Sequence, residues 1–291
     1  MYVLSCCTTC DLTAERLNAR NIPFVAFHYE LGGVTHTEDF GASMPLKQFY
    51  DEMAAGADTK TSQVNIGEFA DFFRPFLEEG KDILHIAFSG GLSGTANSAR
   101  NAAEMLKEEY PDCKIVIVDS LAASSGYGLV VDKAADLRDS GMGLEELAAW
   151  IEEHKLNCQH WFFSTTLKYF IRGGRISKTA GLVGEALGIC PLMRVDPEGK
   201  LVVMEKVRTK RKVRAACAQK MFDLCENGAD YADKCFISHS DCLEDAQAVA
   251  ALIEEHCPNL KGKVEMFDIG TVIGSHTGPG TVALFFWGEK R

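Results

Sequence analysis

A glycine- and hydroxyl-rich segment, residues 87–95, is the part of the sequence best suited to chemistry, and it reads AFSGGLSGT. It follows a predicted strand and enters a predicted helix. The first N–H groups of a helix lack intrahelical partners and carry partial positive charge, so this turn could bind an anion. A phosphate-binding P-loop would need Lys after Gly94, and a nucleophile elbow would need Gly in place of Thr95. The segment therefore predicts an anion contact at Ser93, although capping of the helix by Ser93 explains it equally well.

Two further segments combine hydroxyl groups with candidate anion contacts. Residues 60–63 read KTSQ and precede a predicted helix, so helix capping alone could account for them. Residues 270–280 read GTVIGSHTGPG and place His276 just before the last predicted strand. A lone histidine is more often structural than ligand-binding, but the glycines would let a ligand approach the backbone closely. Arg172 and Arg175 could orient an anionic group or dock a partner, because guanidinium matches carboxylate and phosphate geometry.

Cysteine spacing gives no site of this kind. Cys7 and Cys10 form a CxxC pair, but the context lacks the order of a thioredoxin-like fold and no second CxxC completes a zinc site. We therefore predict no metal and no redox role. The 11 cysteines are odd in number and scattered along the chain, which is typical of reduced, buried thiols in a cytoplasmic protein.

Composition excludes several classes of partner. The net charge of -11 and the pI near 5.2 would repel phosphate backbones and anionic lipid surfaces, so we expect no nucleic acid partner. No segment approaches the roughly 20 consecutive apolar residues of a membrane span. The N-terminal residues MYVLSCC lack the basic and apolar regions of a signal peptide. We predict a soluble, cytoplasmic protein without stable membrane insertion.

The order of elements predicts how these segments are positioned. Apolar runs alternate with helical patterns in the first half, which predicts βαβ units and a mainly parallel sheet, whereas strands follow one another more closely after residue 157. We predict an α/β fold of two domains, an N-terminal three-layer α/β/α domain over residues 1–157 and a C-terminal α/β domain with a mixed sheet over residues 158–291, with a ligand site between them. The predicted strands are 2–5, 22–28, 82–88, 113–118, 158–164, 187–195, 200–207, 234–239, 263–268 and 281–287. The predicted helices are 66–79, 94–109, 123–139, 209–227 and 241–256.

Six ordered motifs resemble the DegV family, and the resemblance covers nearly the whole chain. The motifs are residues 61–63, 91–95 with 97–99, 119–120 with 124–126, 167–169 with 172–177, 206–209, and 276–280. The resemblance implies two α/β domains with a fatty acid between them and its carboxylate on Thr61 and Ser93. Other carboxylate contacts that it implies are Ser62, Gly94, Thr95, His276 and Arg172. Partner-docking residues that it implies are Arg175 and Arg208.

An acyl-chain tunnel follows from the same resemblance. Its candidate lining residues are Phe24, Phe88, Phe163, Leu167, Phe170, Leu182, Leu187, Ile189 and Phe285. We expect some of them to contact lipid and the others to be ordinary core. Burial of each methylene contributes about 0.8 kcal/mol, so a palmitate-like chain of about 16 carbons would supply roughly 12 kcal/mol before ordering costs are subtracted. No cofactor is expected apart from this ligand.

The functional interpretation is a non-catalytic fatty-acid-binding protein. Some DegV members resemble the lipid-presenting subunit of bacterial fatty acid kinase, where a separate ATP-binding subunit phosphorylates the carboxylate. Two alternatives stay open: an acyl or phosphoryl transferase with Ser93 as nucleophile and His276 as base, and an interaction module whose lipid is structural. Val64 stands where the family commonly has Pro, and residues 6–11 and 88–91 also differ, which leaves lipid preference and the kinase partner open.

Overall fold

The computed structural model describes residues 2–177 and 188–291, which form three β-sheets flanked by helices. The strands are β1 (Tyr2–Cys7), β2 (Phe24–Val25), β3 (His28–Leu31), β4 (Val34–Thr37), β5 (Thr59–Ser62), β6 (Asp82–Ala87), β7 (Ile115–Asp119), β8 (Cys158–Ser164), β9 (Ile189–Val195), β10 (Leu201–Arg208), β11 (Phe236–His239), β12 (Glu265–Asp268) and β13 (Thr281–Trp287). The helices are α1 (Ala14–Ala19), α2 (Leu46–Ala54), α3 (Ile66–Glu78), α4 (Thr95–Glu109), α5 (Ser124–Asp139), α6 (Leu144–His154), α7 (Lys168–Arg172), α8 (Lys210–Leu224), α9 (Leu243–His256) and α10 (Thr271–Thr277). The predicted α/β class is confirmed.

The first half contains a four-stranded parallel sheet in the order β2, β1, β6, β7. Five of the six residues of β6 are buried, as expected for a parallel strand that is covered on both faces. Helices α3 and α4 pack against each other and against β6. The loop after β6 contains Ser93, so it opens at the carboxyl edge of the sheet, where open α/β folds bind their ligands.

The second half contains a six-stranded mixed sheet in the order β10, β9, β8, β13, β11, β12. All neighbours are antiparallel except β11 and β12. Helices α8 and α9 pack on this sheet, and α5, which follows β7 of the parallel sheet, packs on it as well. Residues 124–131 of α5 are all buried, as expected for a helix enclosed between two layers. The domain boundary after residue 157 stays a prediction.

A small antiparallel sheet, in the order β4, β3, β5, was not predicted. Strands β3 and β4 are joined by Gly32 and Gly33, whose φ values of 57° and 86° suit a two-residue hairpin turn. The Gly-Gly signal was present in the sequence, but β4 is largely exposed and lacks the apolar alternation of a half-buried strand. The third strand, β5, contains Thr61, which pairs with Tyr29 of β3.

Helix α10, which carries His276, was also not predicted. Within residues 2–177 and 188–291 it is one of five helices that the sequence patterns missed, the others being α1, α2, α6 and α7. Its glycine and β-branched residues disfavour a helix locally, so contacts from elsewhere must support it. The buried carboxylate of Glu38 accepts the N–H groups of Thr271 and Val272, each at 2.9 Å, and so satisfies the first turn. Burial raises the pKa of Glu38, and these N–H groups oppose that shift.

Three further observations apply to the described residues. None of their helices combines the length and the apolar content of a membrane span. Within residues 2–177 and 188–291, no cluster of three or more His, Cys, Asp and Glu side chains could hold a metal ion. The 11 cysteines all lie in these two ranges, where each is a free thiol.

Candidate functional site

A cavity of about 520 Å³ lies between the parallel and the mixed sheet. This volume falls within the range of small-molecule sites. Its apolar lining residues are Phe27, Phe88, Leu92, Ala123, Phe162, Phe170, Val195, Leu201, Ile269, Val272, Ile273, Ala283 and Phe285. Its other lining residues are Thr61, Ser62, Gln63, Ser93, Gly94, Ser124, His160, Arg175, His276, Thr277 and Thr281. Both halves of the chain therefore contribute to one largely apolar wall.

One face of the mixed sheet forms a long side of the cavity. Alternate residues of β13, namely Thr281, Ala283 and Phe285, line the cavity because successive side chains of a strand point to opposite faces. On the neighbouring strand β8, Phe162 lies opposite Ala283 and His160 lies opposite Phe285. Thr281 and Phe285 are four residues apart, about 13 Å at the usual strand rise. The cavity is therefore long enough to accommodate an extended chain.

Hydroxyl groups and an imidazole meet at one end of this cavity. Oγ1 of Thr61 lies 2.7 Å from Nε2 of His276. This contact joins β5 to α10. The backbone carbonyl of Ser275 accepts a hydrogen bond from the hydroxyl of Thr59 at 3.1 Å, and Nη2 of Arg172 donates to the same hydroxyl at 2.7 Å. These bonds hold β5 against α10 and so fix the position of Thr61.

The Ser93 loop brings a second hydroxyl pair to the cavity. Oγ of Ser93 lies 2.9 Å from Oγ1 of Thr95 and accepts the N–H of Thr95 at 3.3 Å. Gln63 connects this loop to β5, because its Oε1 packs against Gly94 while its Nε2 donates to Ser98 of α4 at 3.2 Å. Thr61 and Ser93 therefore belong to one continuous group of polar residues.

His276 is electrically neutral at physiological pH. Burial, together with the nearby Arg175 and Arg172 guanidinium groups, lowers the pKa of His276 to about 3. Its Nδ1 is buried and has no hydrogen-bond partner among the described residues. A neutral imidazole can hold the hydroxyl of Thr61 but cannot neutralise an anion itself. The positive potential at this end must come from the arginines and from the first turn of α4.

The structure places the predicted carboxylate contacts as follows. Thr61, Ser62, Ser93, Gly94 and His276 line the cavity, and Thr95 contacts the lining residue Ser93. Arg172 lies outside the lining and donates to Thr59 and Asp58. Arg175, which was predicted to dock a partner, lines the cavity, and Arg208 is exposed on β10 outside the lining. The functional roles of all these residues stay predictions.

The predicted tunnel residues divide into three groups. Phe88, Phe170 and Phe285 line the cavity. Four others are not part of the described lining, namely Phe24, Phe163, Leu167 and Ile189. Leu182 and Leu187 lie outside the described residues.

Several lining residues were missed by the sequence analysis. The alternation along β13 would have indicated Ala283 and Thr281, because they share a face with the proposed Phe285. Phe162 lies on the face of β8 opposite to the proposed Phe163, so only its pairing with Ala283 places it in the lining. Phe27 and Ile269 lie in segments without regular structure beside β2 and β12, and no periodic signal marks them. Only the tertiary fold could have identified these two.

Replacing Gly173 by alanine should displace His276. Gly173 has helical backbone angles (φ −74°, ψ −7°), which alanine adopts readily, but its added methyl group would overlap Nδ1 of His276. We expect the ring to shift away from Thr61 and the affinity for a carboxylate ligand to fall about tenfold, as for the loss of one hydrogen bond. Isothermal titration with palmitate measures this. Gly143→Ala is the matched control, because Gly143 has open space around it (φ −70°); equal affinity in both variants would contradict the role of the ring.

Comparison with known proteins gives a consistent result. Residues 8–289 match the model of the DegV family, which is described as an uncharacterised protein family. A DegV domain-containing protein of Clostridium perfringens is 35% identical over 290 residues, covering 100% of this chain and 98% of that protein. A fatty-acid-binding DegV family protein from Thermus thermophilus has a similar structure, with a TM-score of 0.85, 25% identity and 99% of each chain covered.

A third similar structure is the fatty acid kinase (Fak) B3 protein of Streptococcus pneumoniae loaded with linoleic acid. Its TM-score is 0.84 at 22% identity, with 99% of this chain and 100% of that chain covered. At this identity the similarity establishes the fold. Because these matches cover nearly the full length of the chain, they agree with an α/β fold that includes both the parallel and the mixed sheet.

Proposed function

The chain belongs to the DegV family, and we propose that it binds a long-chain fatty acid in the cavity, with the carboxylate at Thr61 and Ser93. The observation that carries the proposal is a long apolar cavity that ends in hydroxyl groups. An acyl chain matches the apolar walls, and a carboxylate matches the hydroxyl donors. The fatty-acid binding of the similar Thermus thermophilus protein supports the same class of ligand here.

The geometry suggests how the carboxylate is held. If the neutral ring of His276 carries its proton on Nε2, it donates to Oγ1 of Thr61, and the Thr61 hydroxyl is then free to donate to the ligand. Ser93 donates its hydroxyl from the other side, next to the first N–H groups of α4. Ser62 and Gly94 complete the set of polar groups around the carboxylate. A carboxylate without such donors would be strongly penalised on leaving water.

The tail supplies most of the affinity. Each methylene transferred from water to the apolar wall contributes about 0.8 kcal/mol. Phe88, Phe170 and Phe285 are the predicted tunnel residues that support this part of the proposal, together with Ala283 and Phe162. We propose a palmitate-like chain length, and the cavity volume of about 520 Å³, which is within the range of small-molecule sites, supports a ligand of this size.

The proposed role is binding without chemistry on the ligand. The transferase alternative needs a hydrogen bond between Ser93 and His276. The hydroxyl of Ser93 is instead paired with Thr95, and Nε2 of His276 is paired with Thr61. These contacts favour holding a carboxylate over activating a nucleophile.

A separate kinase subunit is the proposed recipient of the bound carboxylate. Ser62 is exposed in the cavity lining, and Arg208 is exposed on β10, so these groups are available to a partner. A purified ATP-binding fatty acid kinase subunit should form acyl phosphate only when this chain and palmitate are both present. A cytoplasmic location is likewise a proposal, which the unpaired thiols support.

Titration of delipidated protein tests the binding proposal. We expect one palmitate per chain, with affinity that increases from decanoate to palmitate because longer tails bury more apolar surface. Isothermal calorimetry gives both the stoichiometry and the affinity. Affinity that is independent of chain length would show that the tail does not enter the cavity.

A further inference from the structure

The Ser93 loop is held in place by a turn from the other half of the chain. This turn connects β9 to β10 and comprises residues 196–200. The hydroxyl of Ser89, at the start of the loop, donates to the carbonyl of Gly199 at 2.8 Å. Ser89 is fully buried, so this bond is shielded from water.

The same hydroxyl also organises the loop itself. Oγ of Ser89 accepts the N–H of Gly91 at 3.2 Å, so it bridges the loop and the turn. The carbonyl of Ser89 accepts the N–H groups of Leu92 and Ser93 at 3.1 and 3.2 Å. Through these bonds Ser89 determines where the backbone of Ser93 lies.

Close packing reinforces the contact between the loop and the turn. A methyl group at Gly91 would lie 2.5 Å from the carbonyl oxygen of Glu198, so only glycine allows this approach. Arg291 holds the turn in position. Its Nη1 donates to the carbonyl of Asp196 at 3.0 Å, and its Nη2 donates to the carbonyl of Leu121 at 2.9 Å. The turn is therefore a stable support for the loop.

We infer that Ser89 is a positioning residue. Its hydrogen bond to the β9–β10 turn fixes the loop, so that the Ser93 hydroxyl lies where it binds the carboxylate. The inference rests on the proposed function and adds a consequence to it. Carboxylate binding and docking of the turn stabilise each other, because coupling between two sites is reciprocal. Palmitate should therefore protect the backbone N–H groups of Asp196, Glu198 and Gly199 from hydrogen exchange.

Two variants test the inference from the loop side. Ser89→Ala removes both bonds of the hydroxyl, and Gly91→Ala pushes the loop away from the turn. Each variant is expected to weaken palmitate binding about tenfold, because the displaced Ser93 would lose its proposed hydrogen bond to the carboxylate. Each should also abolish the palmitate-induced protection of the turn. Binding of 1-hexadecanol, which has the same tail and no carboxylate, should change by a factor of about two at most, because most of the apolar lining residues lie outside this loop.

Ser140→Ala is the matched control, because the hydroxyl of Ser140 also donates to a backbone carbonyl, that of Leu137 at 2.7 Å, but at the far end of α5. The Ser140→Ala variant should bind palmitate and 1-hexadecanol like the wild type. Ser89→Thr retains a hydroxyl and should restore most of the palmitate affinity. Equal losses for palmitate and hexadecanol, or wild-type palmitate binding in both Ser89→Ala and Gly91→Ala, would overturn the inference but leave the proposed function intact. A wild-type protein that binds neither ligand would overturn both.

Discussion

The double variant Thr61→Ala, Ser93→Ala is expected to bind palmitate at least about a hundredfold more weakly than the wild type. Each hydroxyl is proposed to donate one hydrogen bond to a charged carboxylate, and such bonds contribute about 1.5 to 3 kcal/mol each. The single variants should each lose part of this affinity. Thr61→Ala should have the further effect of leaving Nε2 of His276 without its partner. Isothermal titration of delipidated protein measures the difference.

The control for this variant is the ligand rather than the protein. 1-Hexadecanol has the same tail as palmitate but no carboxylate, so its binding should be nearly the same in wild type and double variant. The free energy of unfolding should fall by no more than about 1 to 3 kcal/mol, which is the cost of leaving Nε2 of His276 without a partner. A double variant with wild-type palmitate affinity would contradict the carboxylate site.

The variant Ala283→Phe is expected to shorten the tunnel. Ala283 lies between Thr281 and Phe285 on the face of β13 that lines the cavity, so a phenyl ring there would occupy part of the space for the tail. If it excludes about three methylenes, the affinity for palmitate should fall by roughly 2.4 kcal/mol, or about fiftyfold. The affinity for octanoate, which has fewer methylenes to lose, should fall less. A series of acids from octanoate to palmitate measures where each protein reaches its maximum affinity.

Ala283→Gly is the matched control at the same position, because it changes the backbone site without filling the cavity. Extra volume can destabilise a packed core by about 1 to 3 kcal/mol, so thermal unfolding of all variants must accompany the titrations. An Ala283→Phe protein that is folded and still binds palmitate like the wild type would place the tail elsewhere.

The sequence predicted the parallel sheet and its loop well, because their signals are local. The apolar run of β6, the glycines after it and the helical spacing of α4 lie within one short stretch, so the position of Ser93 at the carboxyl edge followed from general rules. The role of Thr61 did not follow. Residues 60–63 resemble a helix cap, and only pairing with β3 makes them a strand that faces α10.

His276 shows the same limit. Its helix has poor intrinsic propensity and depends on Glu38, a residue more than 230 positions away in the sequence, for its first turn. No local pattern could reveal such a contact. In contrast, the lining residues Thr281 and Ala283 follow from strand alternation once Phe285 is assigned to the cavity, and a stricter use of that periodicity would have predicted them. Phe162 needs the register between β8 and β13, which no local pattern gives.

The central claim is that the cavity holds a fatty acid, and native mass spectrometry of the purified protein tests it most directly. We predict a mass increment that corresponds to one fatty acid of about 16 carbons in the wild-type protein, and a much lower occupancy in the Thr61→Ala, Ser93→Ala variant. If the wild-type protein, after incubation with excess palmitate, shows only the mass of the bare chain, the account is contradicted.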